Sequence, residues 1–260
     1  MKLRFIDTGF NDAFTNMAID ESLLHFSKVP TLRFYQWKPK AVSIGYNQDI
    51  KEINVNYCKK NNIDIVKRIT GGKAVFHDNE LTYSFIVPEK SNLLPKDIVE
   101  SYKIIAEALV IAFKKININS KIKKQKEQIA TSICFNSSNW YELLVNNKKI
   151  SGSAQRRLNN KILQHGSILI DFDYEKNSLL FSSKNPLDKI SNLKQRITSI
   201  KNELNKKNNK TNKKLDIKEL KNAIKFGFEK NFSFELFDDK LNEDELLLAK
   251  RLSKEKYTQA

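Results

Sequence analysis

The chain has 260 residues, with 46 Lys and Arg against 30 Asp and Glu and a formal net charge of +16. Hydrophobic residues make up 40%, enough for a core at this length, and no apolar run reaches the roughly 18 residues of a membrane span. The start, Met1-Lys2-Leu3-Arg4-Phe5-Ile6-Asp7, has no apolar h-region, and the two cysteines, Cys58 and Cys134, lie far apart and outside C-x-x-C spacing; a signal peptide, a disulfide scaffold and a cysteine-rich zinc site are not expected, which leaves a cytoplasmic protein.

Taken in chain order, residues 14–26 read as a helix. Residues 31–37 and 41–45 read as strands around a Lys-Pro turn, and 63–68 as another strand, in which Ile63 and Ile65 alternate with Asp64 and Val66. Residues 81–87 and 162–170 are strand-like as well. The clearest helix carries Ile98, Tyr102, Ile105, Leu109 and Phe113 at 3–4 spacing, with Asp97 and Glu100 placed as in a capping box. This alternation predicts a mixed α/β (α+β) domain over residues 1–185. From 186 onward the character changes. Residues 201–214 (KNELNKKNNKTNKK) read as a polar linker. Asp216 can cap a helix with Leu220, Ile224 and Phe228, and 241–252 reads as a last helix. Residues 186–260 are therefore expected to form a small, mostly helical C-terminal appendage. The basic balance suits nucleic acid, an anionic membrane or an acidic protein; a general richness in Lys, Asn and Ile, with much of the Lys in 201–214, explains it equally well.

Four segments carry chemistry. In Arg68-Ile69-Thr70-Gly71-Gly72-Lys73-Ala74-Val75-Phe76-His77-Asp78, two glycines follow a strand and are flanked by cations. Exposed backbone N–H groups there suit an anionic or carboxyl-derived ligand, although a plain hairpin turn gives the same pattern. Neither a P-loop nor a dinucleotide fingerprint is present. Cys134 is followed by the polar run Asn136-Ser137-Ser138-Asn139 and then Trp140-Tyr141-Glu142-Leu143, an unusual setting for an inert buried thiol; Cys58, inside a helical stretch at 55–60, suits the inert role. Lys148-Lys149-Ile150-Ser151-Gly152-Ser153-Ala154 sets lysines beside small residues that leave room for a ligand. Leu163-Gln164-His165-Gly166-Ser167 puts a histidine on a strand, where a structural hydrogen bond is its ordinary use.

Together and in this order, RFYQW (33–37), SIGYNQ (43–48), RITGGKAVFHDNELTYS (68–84), KKISGSAQRR (148–157) and LQHGSILID (163–171) resemble the catalytic domain shared by lipoate–protein ligases, octanoyltransferases and biotin–protein ligases. The resemblance spans roughly residues 1–255 and implies a central mixed sheet with flanking helices and an acyl tunnel lined by the Gly-Gly loop. Within the family, Ser132-Ile133-Cys134-Phe135 ahead of Trp140-Tyr141-Glu142-Leu143 is most similar to the Gram-positive type of octanoyltransferase. That branch implies octanoyl transfer from octanoyl-acyl carrier protein, through a Cys134 thioester, to a lysine of an apo lipoyl-domain protein such as glycine cleavage H protein or a 2-oxoacid dehydrogenase E2. No cofactor, metal, nucleic acid or membrane is then expected. Lys149 is the catalytic companion by motif position, able to lower the thiol pKa or to shuttle protons. Arg68, Gly71, Gly72, His77, Ser151, Gly152, His165 and Gly166 form the substrate-binding set, with the two histidines in pocket architecture and loop N–H groups near Gly71-Gly72 or Gly166 available to an oxyanion.

Three departures stand out. Lys67 replaces a frequent second arginine, the 201–214 segment is long, and no tryptophan follows Lys256-Tyr257. The rivals are an ATP- and magnesium-dependent lipoate–protein ligase, an amidotransferase that moves acyl groups between carrier proteins, and a non-enzymatic binding module suggested by charge alone.

Overall fold

The computed structural model describes residues 2–124, 141–181, 186–207 and 215–258. In chain order the elements are β1 (Lys2–Asn11), α1 (Ala13–Phe26), β2 (Thr31–Trp37), β3 (Ala41–Ile44), α2 (Val55–Lys60), β4 (Asp64–Lys67), β5 (Val75–His77), β6 (Glu80–Pro88) and α3 (Ile98–Lys115). They continue with β7 (Lys121–Lys124), β8 (Tyr141–Val145), β9 (Lys148–Leu158), β10 (Lys161–Leu169), α4 (Tyr174–Leu180), α5 (Pro186–Arg196), α6 (Ile200–Lys207), α7 (Ile217–Phe232), β11 (Glu235–Asp238) and α8 (Glu243–Glu255). Among the described residues, eight strands form one mixed sheet in the order β11-β1-β2-β6-β10-β9-β8-β7, and three form a second sheet, β4-β3-β5.

Strand periodicity decides what each face of the large sheet meets. On β6, Leu81, Tyr83, Phe85 and Val87 join one core with Ile105, Leu109 and Phe113 of α3 and Leu220, Ile224 and Phe228 of α7. The alternate residues Thr82, Ser84 and Ile86 face the other way, and Ile86 packs with Met17, Leu23 and Leu24 of α1. β10 follows the same rule: Ile162 and Ile168 point to α3 and α7, whereas Leu163 points to α1. His165 and Ser167 share a face with Leu163 by the same two-residue step. A histidine and a serine therefore stand on the α1 side of the sheet because of the register of an otherwise apolar strand.

The helices start where side-chain caps permit. Asp97 accepts from the Glu100 N–H at 2.8 Å, and Asp216 opens α7 by accepting from Lys218 N–H. Asn146 and Asn147, both at positive φ, make the tight β8–β9 turn, a conformation Asn tolerates better than most residues.

The boundary expected at residue 185 does not separate two cores. Leu220, Ile224 and Phe228 of α7 lie in the main core, and β11 extends the main sheet by pairing in parallel with β1. Arg4 of β1 donates to buried Glu245 of α8 at 2.6 and 2.8 Å, while Lys256 and Tyr257 both bond Glu21 of α1. Residues 201–207, read as linker, are the body of α6; their polar face is solvated while Ile200 and Glu203 are buried.

Candidate active site

A small cavity of about 30 Å³ opens between the two sheets. α1 supplies Met17, β2 supplies Tyr35 and Trp37, and β6 supplies Thr82. The small sheet adds Ser43, Val75 and His77, Arg68 stands beside it, and Gly152, Ser153, Ala154, His165, Gly166 and Ser167 close it from β9 and β10. Gly152 of β9 pairs with Ser167 of β10 and so adds no side chain on the cavity face, whereas a Cβ on Gly166 would meet Tyr83 and Ser153 on the other face of the sheet.

Arg68 lies in the wall but is bound to the protein itself. Its guanidinium donates to Ser43 O at 2.7 Å and Ser43 Oγ at 3.3 Å, to Thr70 Oγ1 at 3.1 Å, and to the carbonyls of Gly71 and Lys73 at 2.7 and 2.8 Å. Those acceptors match the donors of a guanidinium. Arg68 thus fastens the glycine loop, where a direct substrate contact had been expected. The loop needs glycine at two places. Gly72 sits at φ +87°, a left-handed conformation that favours glycine, and a Cβ on Gly45 would come 1.9 Å from Gly72 O, so the two backbones touch only because Gly45 carries no side chain. Gly71 and Gly72 are solvent-exposed and stand outside the cavity wall.

The two histidines differ. His77 stacks on Trp37 at 3.9 Å with 17° between planes and places Nε2 2.8 Å from Ser43 Oγ. Burial pushes its pKa below the usual imidazole range, only partly opposed by Glu80, so the ring is neutral at neutral pH. His165 is the centre of a polar chain. Its Nδ1 is 3.0 Å from Asp20 Oδ2 and its Nε2 2.6 Å from Thr70 Oγ1. Asp20 also accepts from Arg33 (2.6 Å), Tyr35 OH (2.8 Å) and Ser84 Oγ (2.8 Å). Burial alone would raise the Asp20 carboxyl, but Arg33, His165 and Ser84 together hold it below the usual carboxylate value.

Asp20, Thr70 and Ser43 escaped the sequence reading. A weak signal for Asp20 was present: Asp20 and Glu21 are the only charged residues in 16–24 of α1 (NMAIDESLL), a stretch that is buried throughout. A helix buried all round that carries carboxylates must pair them.

Lys149 is 2% exposed, and its Nζ lies 2.9 Å from Glu142 Oε1 on the neighbouring strand. The β8–β9 register slips between Leu143 and Leu144, a bulge of the kind that re-aims side chains next to sites. Lys149 does not line the cavity, nor does Ser151, whose hydroxyl donates to Ser167 O at 2.9 Å. Cys134, with the motif around it, lies outside the described residues. Cys58 is buried in the small-sheet core, and burial pushes its thiol up to about 11; this is an inert thiol at neutral pH.

A family model described as the lipoyl protein ligase A/B catalytic domain matches residues 12–229, and the chain belongs to that family. Its curated relatives include proteins named octanoyltransferase LipM. The one from Clostridioides difficile is 41% identical over 252 residues, covering 93% of this chain and 91% of the relative. The one from Bacillus subtilis is 38% identical over 267 residues, covering 98% and 95%. Among solved structures, a lipoate-protein ligase A bound with ATP matches with TM-score 0.82 at 23% identity, over 100% of this chain and 97% of that one. A bipartite lipoate protein ligase from Thermoplasma acidophilum matches with TM-score 0.79 at 22% identity, over 98% and 93%. At those identities the structural likeness establishes the fold, a mixed α/β catalytic domain of the lipoate ligase type.

Proposed function

We propose that this protein is an octanoyltransferase of protein lipoylation. In the proposed reaction the Cys134 thiolate attacks the thioester carbonyl of octanoyl-acyl carrier protein, the carrier thiol leaves, and octanoate is held as a Cys134 thioester. The amine of a lysine on an apo lipoyl-domain protein then attacks that carbonyl, forming an amide and releasing the Cys134 thiolate. The amine gives up one proton in this step, and the thiolate can take it. Activation is conserved at each exchange, so neither ATP nor magnesium is required.

The observation that carries this reading is full-length similarity, at 38–41% identity, to relatives named octanoyltransferase LipM, in a chain that has Ser132-Ile133-Cys134-Phe135. The lining of the cavity is compatible with it. Tyr35, Trp37, Met17, Val75 and Ala154 offer an apolar surface to an alkyl chain, and the one arginine in the wall is occupied by protein acceptors. Lys149 places an ammonium on β9, the strand that also carries Gly152 and Ser153, with Glu142 of β8 beside it. In this reading the Lys149–Glu142 pair tunes the thiol and relays the proton of the incoming amine. Arg68, Gly71, Gly72 and Ser151 shape the site, and His77, His165, Gly152 and Gly166 bound the acyl chain.

The test is to incubate the protein with octanoyl-acyl carrier protein and an apo lipoyl domain, without nucleotide, and weigh the acceptor. An octanoyl mass increment supports the reading. Modification only with ATP and free lipoate replaces it with the ligase activity, and modification only from an acylated lipoyl carrier replaces it with amidotransfer.

A further inference from the structure

The Asp20 cluster lies on α1 and the Gly71-Gly72 loop between β4 and β5, yet one continuous line of hydrogen bonds connects them. Asp20 is ionised and so accepts only. His165 must therefore donate from Nδ1 to Asp20 Oδ2 (3.0 Å). His165 Nε2 lies 2.6 Å from the Thr70 hydroxyl, a second hydrogen bond that continues the line. A lone pair of the same hydroxyl then accepts from Arg68 Nε at 3.1 Å. Arg68 in turn collects Gly71 O and Lys73 O through Nη2. Thr70, fully buried, is the hinge between the two halves of this line.

The loop end responds to that line in a definite way. A trans peptide points its N–H opposite its carbonyl. Holding Gly71 O on Arg68 turns the Gly72 N–H away from Arg68, and seating Gly72 O against Gly45 turns the Lys73 N–H away from Gly45. The partners of the two carbonyls thereby fix the directions of both N–H groups. The Thr70 carbonyl also holds the loop from the other flank, accepting from Tyr46 N–H at 2.9 Å.

We propose that Thr70 is a positioning residue that transmits the fixed geometry of the buried Asp20–His165 pair through Arg68 to the Gly71-Gly72 loop, so that the loop is held in one conformation during acyl transfer. The proposal rests on the acyl-transfer reading for its consequence in rate, and on the hydrogen bonds alone for its consequence in structure.

The experiment compares Thr70→Val, which keeps the shape and removes the hydroxyl, with Thr70→Ser, which restores the hydroxyl without the methyl. Two readouts are taken on each full-length protein: octanoyl transfer from octanoyl-acyl carrier protein, and hydrogen exchange at the Tyr46 amide. Thr70→Val is expected to lower kcat by about tenfold to 100-fold, the range for misplacing a reacting group by an ångström, with KM for the carrier within about threefold of wild type. Tyr46 exchange is expected to accelerate at least about tenfold as the loop opens locally. Thr70→Ser should stay within about threefold of wild type in both readouts. If Thr70→Val does not fold, Thr70→Ala replaces it in the same comparison with Thr70→Ser. Wild-type kcat and wild-type Tyr46 exchange in the hydroxyl-free variant overturn the proposal, and so does a Thr70→Ser protein as impaired as Thr70→Val. If the wild type itself transfers no octanoyl group, the acyl-transfer reading has failed, and the Tyr46 exchange comparison alone then decides for or against the hydrogen-bonded line.

Discussion

Replacing Lys149 by Met removes an ammonium that is 2% exposed and leaves the Glu142 carboxylate, 2.9 Å away and itself buried, without its cation. At an effective dielectric of about 20, two unit charges at that separation attract by about 6 kcal/mol. The desolvation of both groups offsets much of this in the intact pair, so the pair adds little net stability. Removing one partner keeps the cost and loses the attraction, which destabilises by about 3–5 kcal/mol. In a protein of this size each kcal/mol moves the melting temperature by about 2–4 °C, so Lys149→Met should melt roughly 6–20 °C lower. Adding Glu142→Leu removes the stranded charge and should recover most of that loss. The assay is thermal unfolding of wild type, both single variants and the double variant, read as a cycle. A Lys149→Met protein that melts within about 2 °C of wild type, or a double variant no more stable than the single ones, refutes the reasoning. The same variants test the link to chemistry. Loss of the ammonium should slow alkylation of Cys134 at neutral pH and restore it at higher pH, and an unchanged alkylation profile would end that role for Lys149.

Other outcomes follow from the same geometry. Iodoacetamide at pH 8 should label the native protein at Cys134 and leave Cys58 untouched, because the Cys58 thiol is buried and raised to about 11; equal labelling of both sites would contradict its placement in the small-sheet core. The folded-state pKa of Asp20 is depressed, so its stabilisation is present above the ordinary carboxylate pKa and is lost as pH falls below about 4. Asp20→Asn should lower stability at neutral pH and flatten the acid limb of the stability profile, and an acid limb identical to wild type would show that other carboxylates dominate it. With a net charge of +16, transfer from an acidic carrier at low substrate should slow as ionic strength rises, since screening acts over about 8–10 Å at physiological salt; a flat salt profile would assign the charge to composition.

The parts of the fold that were legible in the sequence are those with strong local signals. β2 at Thr31–Trp37 and α2 at Val55–Lys60 fall where their patterns place them, and α3 starts at its Asp97 cap. The C-terminal third was misjudged because sequence shows the polarity of 201–214 but not the partner of α7. Leu220, Ile224 and Phe228 read as the apolar stripe of a small appendage, yet that stripe completes the core shared with α3 and the large sheet. β1 was missed because its charged residues Arg4 and Asp7 break the apolar alternation; Arg4 is explained only by Glu245 and Asp239, more than two hundred residues later in the chain. At the site, the motifs marked the right segments but not the direction of each side chain. Arg68 looks like a ligand-binding cation in sequence, and only the loop carbonyls around it show that it binds backbone instead. Asp20 is the converse: a helical carboxylate that none of the motifs marks, and the anchor of Arg33, Tyr35, Ser84 and His165 in space.

The central claim, that acyl activation is stored on a cysteine, is tested most directly by mass spectrometry of the protein after mixing with octanoyl-acyl carrier protein in the absence of ATP and magnesium. The account predicts an octanoyl adduct that hydroxylamine removes, that maps to Cys134, that persists in Cys58→Ala and that is absent, with turnover, in Cys134→Ala. A Cys134→Ala protein that transfers octanoate at the wild-type rate, or an adduct that appears only when ATP and free lipoate are supplied, would contradict it.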